Sequence, residues 1–520
     1  MATLNINSLM PFGIVHHRLI SNVLKLKNLI LFVMLAAGIG FSGKAQEMHG
    51  YVHSNYAGIT GSLINPTSIL TSKVYLDINI IGLHLNVDNN YIYLAKDEFK
   101  FNRFLSANPE FPKHIDEVTG DEREYYDRYN TDLKNAYTQI RVLGPSAMFA
   151  TGNQAFGLST GYRILVSGNS IPFDIAKFAV EGLDYIPQQR INYINEIDFR
   201  VASMALAEIS GSYSRILHRK NREYFAAGVT IKGLFSSGGA FGYADNMDYM
   251  VPNSDTLIVY NANGKFGTSI PVDYNNNDIL IPGQLFTGKG VGFDIGFTYQ
   301  KMLRGHSTKS YSSYCEIPYQ PYIFRLGVSL IDVGRVRYKK NTAWVEMENA
   351  SANWENVRGT EYDNLNDLFQ TISYEFSGDS NQLIRNSEFS IALPTALSVQ
   401  FDYRLTNKIY INSSLVQPIT MSDVSVVRPS QIALTPRFET NYFEVAMPVI
   451  LYNYRYPRIG LSARFHKVVI GTDKLGGFFG IKDFTGMDFY IMVKLQFFKG
   501  NCRRFNKKFG CGNLEYKQQY

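Results

Sequence analysis

Four stretches of this sequence alternate strictly between apolar and polar side chains, a period that only a β-strand with one oily and one wet face satisfies. Val291, Phe293, Ile295, Phe297 and Tyr299 alternate with Gly292, Asp294, Gly296, Thr298 and Gln300, and Leu397, Val399, Phe401 and Tyr403 with Ser398, Gln400, Asp402 and Arg404. Residues 458–465 repeat the pattern. So do residues 488–497, where Phe489, Ile491, Val493, Leu495 and Phe497 face away from Asp488, Tyr490, Met492, Lys494 and Gln496. In a soluble sandwich the oily face meets a second sheet, whereas in a membrane barrel it meets lipid and the wet face lines the lumen.

Composition and the first residues favour the barrel. Tyr and Phe number 35 each against 2 Trp, and charged residues make up 18%, below the roughly 25% of soluble domains. Aromatics suit interfacial girdles and weakly charged walls suit lipid. Near the N-terminus, Lys25 and Lys27 precede the apolar run 29–39, and Gly43 and Ala45 supply small residues. This reads as a signal peptide over 1–45, cleaved between Ala45 and Gln46, since the run is shorter than the roughly 20 residues of a membrane span. Its removal takes Arg18, Lys25, Lys27 and Lys44 and no acid, so the net charge falls from +6 to +2. A nucleic-acid partner is therefore not implied.

The expected fold is all-β: a transmembrane antiparallel barrel of about 14 strands, with 12 or 16 as the neighbouring even numbers. Besides the four alternating segments, strands are expected at 74–85, 139–150, 154–166, 197–213, 223–235, 322–332, 409–416, 431–438 and 443–451. Short candidates lie at 91–94 and 468–473. Three polar stretches, 96–136, 245–282 and 339–388, read as long extracellular loops, with helical patches over 122–137 and a helix at 173–185. The barrel proper is expected over 73–498. The tail 499–520 carries six Lys or Arg against Glu515 alone and reads as a basic periplasmic extension. Cys502 and Cys511 in that tail form a candidate disulfide, as an oxidising periplasm permits, with free thiols or half of a metal site as alternatives.

No pattern names a reaction, a cofactor or a metal. His49 and His53 are four apart, a spacing that would place two ligands on one helix face. Gly50 and Val52 are poor helix material and no third ligand is near, so a solvated segment is expected. Asp77, Asp294, Asp402 and Asp488 each alternate with apolar residues and should point into the lumen. The glycines between Gly288 and Gly292 match no nucleotide fingerprint and run into a strand. Catalysis is not expected.

The segment YAGITGSLINPTSIL at 56–70 resembles the opening of an uncharacterised outer-membrane barrel family of the Bacteroidota. DINIIG at 77–82, LGPSAM at 143–148 and IGTDKL at 470–475 continue the likeness. The opening is also similar to the Asn-Pro-Ala segment of FadL-like fatty-acid transporters, with Thr67 in place of Ala. The resemblance implies a plug inside the lumen over 46–72, turning at Asn65 and Pro66. It also implies a conduit for small, apolar molecules, lodged in the outer-membrane bilayer. The alternative is a barrel that docks a periplasmic or surface partner protein without transporting.

Overall fold

The computed structural model describes residues 47–98, 113–116, 120, 122–277, 285–303, 319 and 321–497. The cleavage pair Ala45 and Gln46, the cysteines Cys502 and Cys511, and the tail 499–520 lie outside the described residues.

A ring of 14 antiparallel strands closes on itself, with further strands outside it. In chain order the ring strands are β1 (Leu76–Asn89), β2 (Lys134–Leu143 and Ser146–Thr151), β3 (Gln154–Ile171), β4 (Phe199–Lys220) and β5 (Glu223–Asn253). Next come β6 (Gly288–Met302), β7 (Tyr322–Tyr338), β8 (Phe389–Ala392 and Ala396–Arg404), β9 (Ile409–Pro418) and β10 (Gln431–Glu439). The ring ends with β11 (Phe443–Ala446 and Val449–Tyr452), β12 (Tyr456–Ile459 and Leu461–Phe465), β13 (Val468–Thr472) and β14 (Gly486–Phe497). Closure is made by β1 on β14, from Leu76 opposite Phe497 to Ile81 opposite Val493.

The alternation sorts side chains as the sequence requires. Phe293, Ile295, Phe297, Leu434 and Ile470 point outward and are exposed, while Asp294, Thr298, Gln300 and Arg437 point inward and are buried. An outward belt of this kind is stable only against lipid, and a closed ring leaves no backbone edge unpaired there. A barrel of this kind sits in the outer-membrane bilayer.

Proline and glycine interrupt several walls. The stretch 139–150, expected as one strand, breaks at Gly144 and Pro145, because proline has no N–H to give the ladder. Its two halves pair with different parts of β1, and Asn79 Nδ2 donates to the Gly144 carbonyl at 3.1 Å. The stretch 443–451 breaks in the same way at Met447 and Pro448.

At one end the connections are tight, such as Asn221 and Arg222 between β4 and β5; the other carries most of the long ones. Two of the stretches expected as loops there contain much strand. Beyond Ser236, β5 leaves β6 and pairs instead with an outer strand, Thr256–Ser269, which pairs with Thr342–Trp354. At about 3.3 Å per residue, the 31 residues of β5 far exceed the roughly 30 Å hydrocarbon core. Helices α1 (Phe173–Glu181) and α2 (Leu365–Ser377) pack on this extension through Ile175, Phe178 and Phe376, beside Tyr249 and Val259. The patches expected as helix over 122–137 are extended instead: Glu122–Arg123 and Tyr126–Asp127 are short strands, and β2 begins at Lys134. The candidate at 91–94 is a two-residue strand outside the ring.

Candidate functional site

The lumen is filled by the chain's own N-terminal segment, residues 47–73. It holds a 3-10 helix (Gly58–Leu63) and a helical turn (Ser68–Thr71) and adds no strand to the ring. Side chains from many strands hold it. His49 N–H donates to Asp473 Oδ2 at 2.7 Å, and its Nε2 lies 2.8 Å from Gln431 Oε1. Ser54 donates to Glu444 and Asn55 to Glu439, at 2.7 and 2.6 Å. Lys73 joins Asn55 on Glu439 at 2.7 Å, and its N–H donates to the Asn55 carbonyl at 2.7 Å, so the two ends of 55–73 are tied together. Lys494 donates to the Ala57 carbonyl at 2.6 Å. His49 is buried and His53 partly buried, their rings stacked at 5.8 Å, not solvated as expected, because the segment lies inside the ring and not ahead of it.

Asn65 and Pro66 turn against the wall formed by β5, β6 and β7. Asn65 Oδ1 accepts from the Thr67 N–H and hydroxyl, and its Nδ2 donates to Gln400 Oε1 at 3.0 Å and to the Phe297 carbonyl at 3.3 Å. Ser214 donates to the Pro66 carbonyl at 2.7 Å. Three inward glycines make the approach possible. A Cβ on Gly228 would crowd Pro66 and Thr67; one on Gly296 would overlap Asn65 and Pro66; one on Gly327 would press on Asn65 Nδ2 and Gln400.

Toward the long-connection end, charged side chains form a layer across the lumen. Asp332 of β7 receives Arg163 at 3.0 Å, Lys232 at 2.6 Å and Arg428 at 2.5 Å. Its own N–H donates to Asp294 at 2.7 Å. Arg428 also pairs with Glu47 at 2.6 Å, which ties the start of the segment into the layer. Asp332 sits at φ 54, a left-handed conformation uncommon for residues with a side chain. Such outliers persist where the surroundings over-determine them, as three cations do here. Beside this layer, Tyr137, Leu165, Met204, Leu234, Phe241, Tyr338 and Ile391 form an apolar cluster from the inner faces of neighbouring strands.

The family model of unknown function DUF5723 matches residues 66–473. The chain belongs to that family. No curated protein matches it. Among solved structures, this DUF5723 barrel is similar to the toluene transporter TbuX of Ralstonia pickettii, with 8% identity over 88% of this chain and 99% of that one and a TM-score of 0.39. It is also similar to the toluene transporter TodX of Pseudomonas putida (8% identity, 87% and 98%, 0.29) and to a Pseudomonas aeruginosa FadL homologue (8%, 88% and 100%, 0.22). At those scores the likeness carries no argument about function.

All four aspartates expected in the lumen are there, each committed to structure. Asp77 pairs with Lys494, Asp294 with Lys232 and Asp402 with Arg437, while Asp488 accepts from Asn86 and the Asp473 N–H. None stands paired with another carboxylate around open space. Glu47, Asp332, Arg428 and the three glycines do not stand out in the sequence, since each joins its partners across the barrel. Beside the segment lies a cavity of about 50 Å³ near Asn65 and Arg325. A vestibule of about 260 Å³ opens at the long-connection end of this DUF5723 barrel, lined by Tyr137, Asn169, Arg428 and Tyr452 among others.

Proposed function

We propose that this barrel is an outer-membrane conduit for small apolar molecules, shut in the state described by residues 47–73 acting as a plug. One observation carries the reading. The segment fills the lumen yet contributes no strand to the ring, so it can leave without a single ladder hydrogen bond being broken. Wall and segment meet through side-chain hydrogen bonds and ion pairs, which exchange for water as the segment moves. The buried apolar cluster around Tyr338 and Ile391 supports an apolar cargo, because barrels that pass polar solutes have polar interiors. By the usual arrangement of barrels, the tight turns face the periplasm and the long extension faces outward.

Deleting residues 51–72 tests this. The shortened barrel is expected to insert into liposomes and to pass small solutes that the full chain excludes. Cells carrying the full chain should take up a small apolar probe faster than cells without it, with no gain for a polar solute of similar size. A folded deletion variant as tight as the full chain overturns the plug, and equal uptake of the apolar probe overturns the cargo class.

A further inference from the structure

We infer that the inner face of β1–β3 carries an oxyanion-binding site, with Arg141 as its charge and Gln139 and Arg163 as further donors. His84, Arg141 and Arg163 lie directly opposite one another on the three neighbouring strands, and all three are buried. Two arginines in register on adjacent strands repel. Arg163 is neutralised by Asp332 and Glu208. Arg141, only 5% exposed, makes no hydrogen bond or ion pair with any described residue, and its Nε is among the buried atoms without a partner. The acids whose charge reaches it, Glu47, Asp332 and Glu208, are each already paired with another cation.

The other orphans of this patch are mainly donors. Gln139 Nε2 and Arg163 Nε lack partners, and both residues are 1% exposed. The Gln139 oxygen is taken by the Tyr137 hydroxyl. Such a set asks for an acceptor with negative charge, since a guanidinium buried without a partner is unfavourable. Guanidinium and amide N–H groups together match the oxygens of carboxylate, phosphate or sulfate. Tyr137 also lines the vestibule, and Gln139 and Arg141 follow it on the same inward face of β2. The site stands whether or not the barrel conducts.

The full chain in zwitterionic micelles, with chloride as the sole small anion of the buffer, is titrated with inorganic phosphate and followed by 31P line width and by melting temperature. Saturable binding that raises the melting temperature is expected, with Arg141→Gln weakening it roughly tenfold or more and Arg141→Lys weakening it less. Without phosphate, Arg141→Gln should melt no lower than the wild type, because a buried guanidinium without a hydrogen-bond partner has gone; a merely structural arginine would leave the variant less stable. Butyl phosphate distinguishes the source. Tighter binding than inorganic phosphate marks the acidic head of an apolar molecule, and equal binding marks a free anion. If the wild type binds neither, or if Arg141→Gln binds as well as wild type, the inference fails; should Arg141→Gln not fold, the wild type and Arg141→Lys decide.

Discussion

The Asn65 carboxamide occupies the space that a Cβ on Gly296 would need. Gly296 stands opposite Gly228 on β5, so the wall is thinned where the turn docks. Gly296→Val should therefore displace Asn65 and Pro66 while leaving the strand able to pair, since valine suits a strand. The expected result is a barrel that inserts normally but admits small solutes in a liposome-swelling assay. Gly211→Val is the control, because an added Cβ there meets nothing within 4 Å. Equal permeability of the two variants would mean that the turn does not seal the lumen.

The closing strand supplies a second test. Ile491 pairs with the exposed Ile470, whereas Met492 is 1% exposed and faces Thr60 of the segment. Ile491→Arg places a charge against lipid and should cost about 2–4 kcal/mol near the bilayer midplane, read as a loss of stability on unfolding from vesicles. An inward residue would ordinarily tolerate arginine, but Met492 packs on the segment, so Met492→Arg should open the lumen at smaller cost to insertion. If Met492→Arg inserts worse than Ile491→Arg, the inward and outward faces of β14 are reversed.

How much of this barrel is legible in its sequence depends on the range of each signal. The alternation in β6, β8 and β14 is local, so the two faces of those strands and the lumen aspartates can be read directly from the residues. Thr256–Ser269 and Thr342–Trp354 cannot, because beyond the lipid one face is wet and the other is covered only in part by α1 and α2, so the period of two is lost. The break at Gly144 and Pro145 is hidden inside a longer alternating run, though proline is the available signal. The layer around Asp332 is out of reach, since Arg163 and Arg428 are separated from it by 169 and 96 residues and only ring closure brings them together.

Processing can be checked on protein extracted from membranes. Export through residues 1–45 predicts an intact mass beginning at Gln46. Pairing of Cys502 with Cys511 predicts that alkylation without reduction leaves both unmodified while reduction exposes them. A retained leader would contradict the export argument, and two alkylated thiols would remove the disulfide.

The last prediction concerns Asp332, where charge and backbone geometry separate cleanly. Asparagine has the same shape and is among the residues that tolerate positive φ, so Asp332→Asn keeps the left-handed backbone at this position of β7. What it removes is the negative charge shared by Arg163, Lys232 and Arg428. Glu208, Asp294 and Glu47 still offset one cation each, but all three cations lose the shared carboxylate that holds them together in a buried setting. Breaking a buried ion pair from one side costs about 3–5 kcal/mol. The variant should lose stability of that order in urea unfolding from vesicles. Because Arg428 also holds Glu47, part of the loss should appear as an open lumen at denaturant concentrations where the ring is still folded. A variant as stable as the wild type, with a closed lumen, would show that the three cations are solvated and that the layer does not anchor the segment. Asp332→Ala, which alters both charge and backbone preference, should be worse than Asp332→Asn; equal losses would assign the whole effect to charge.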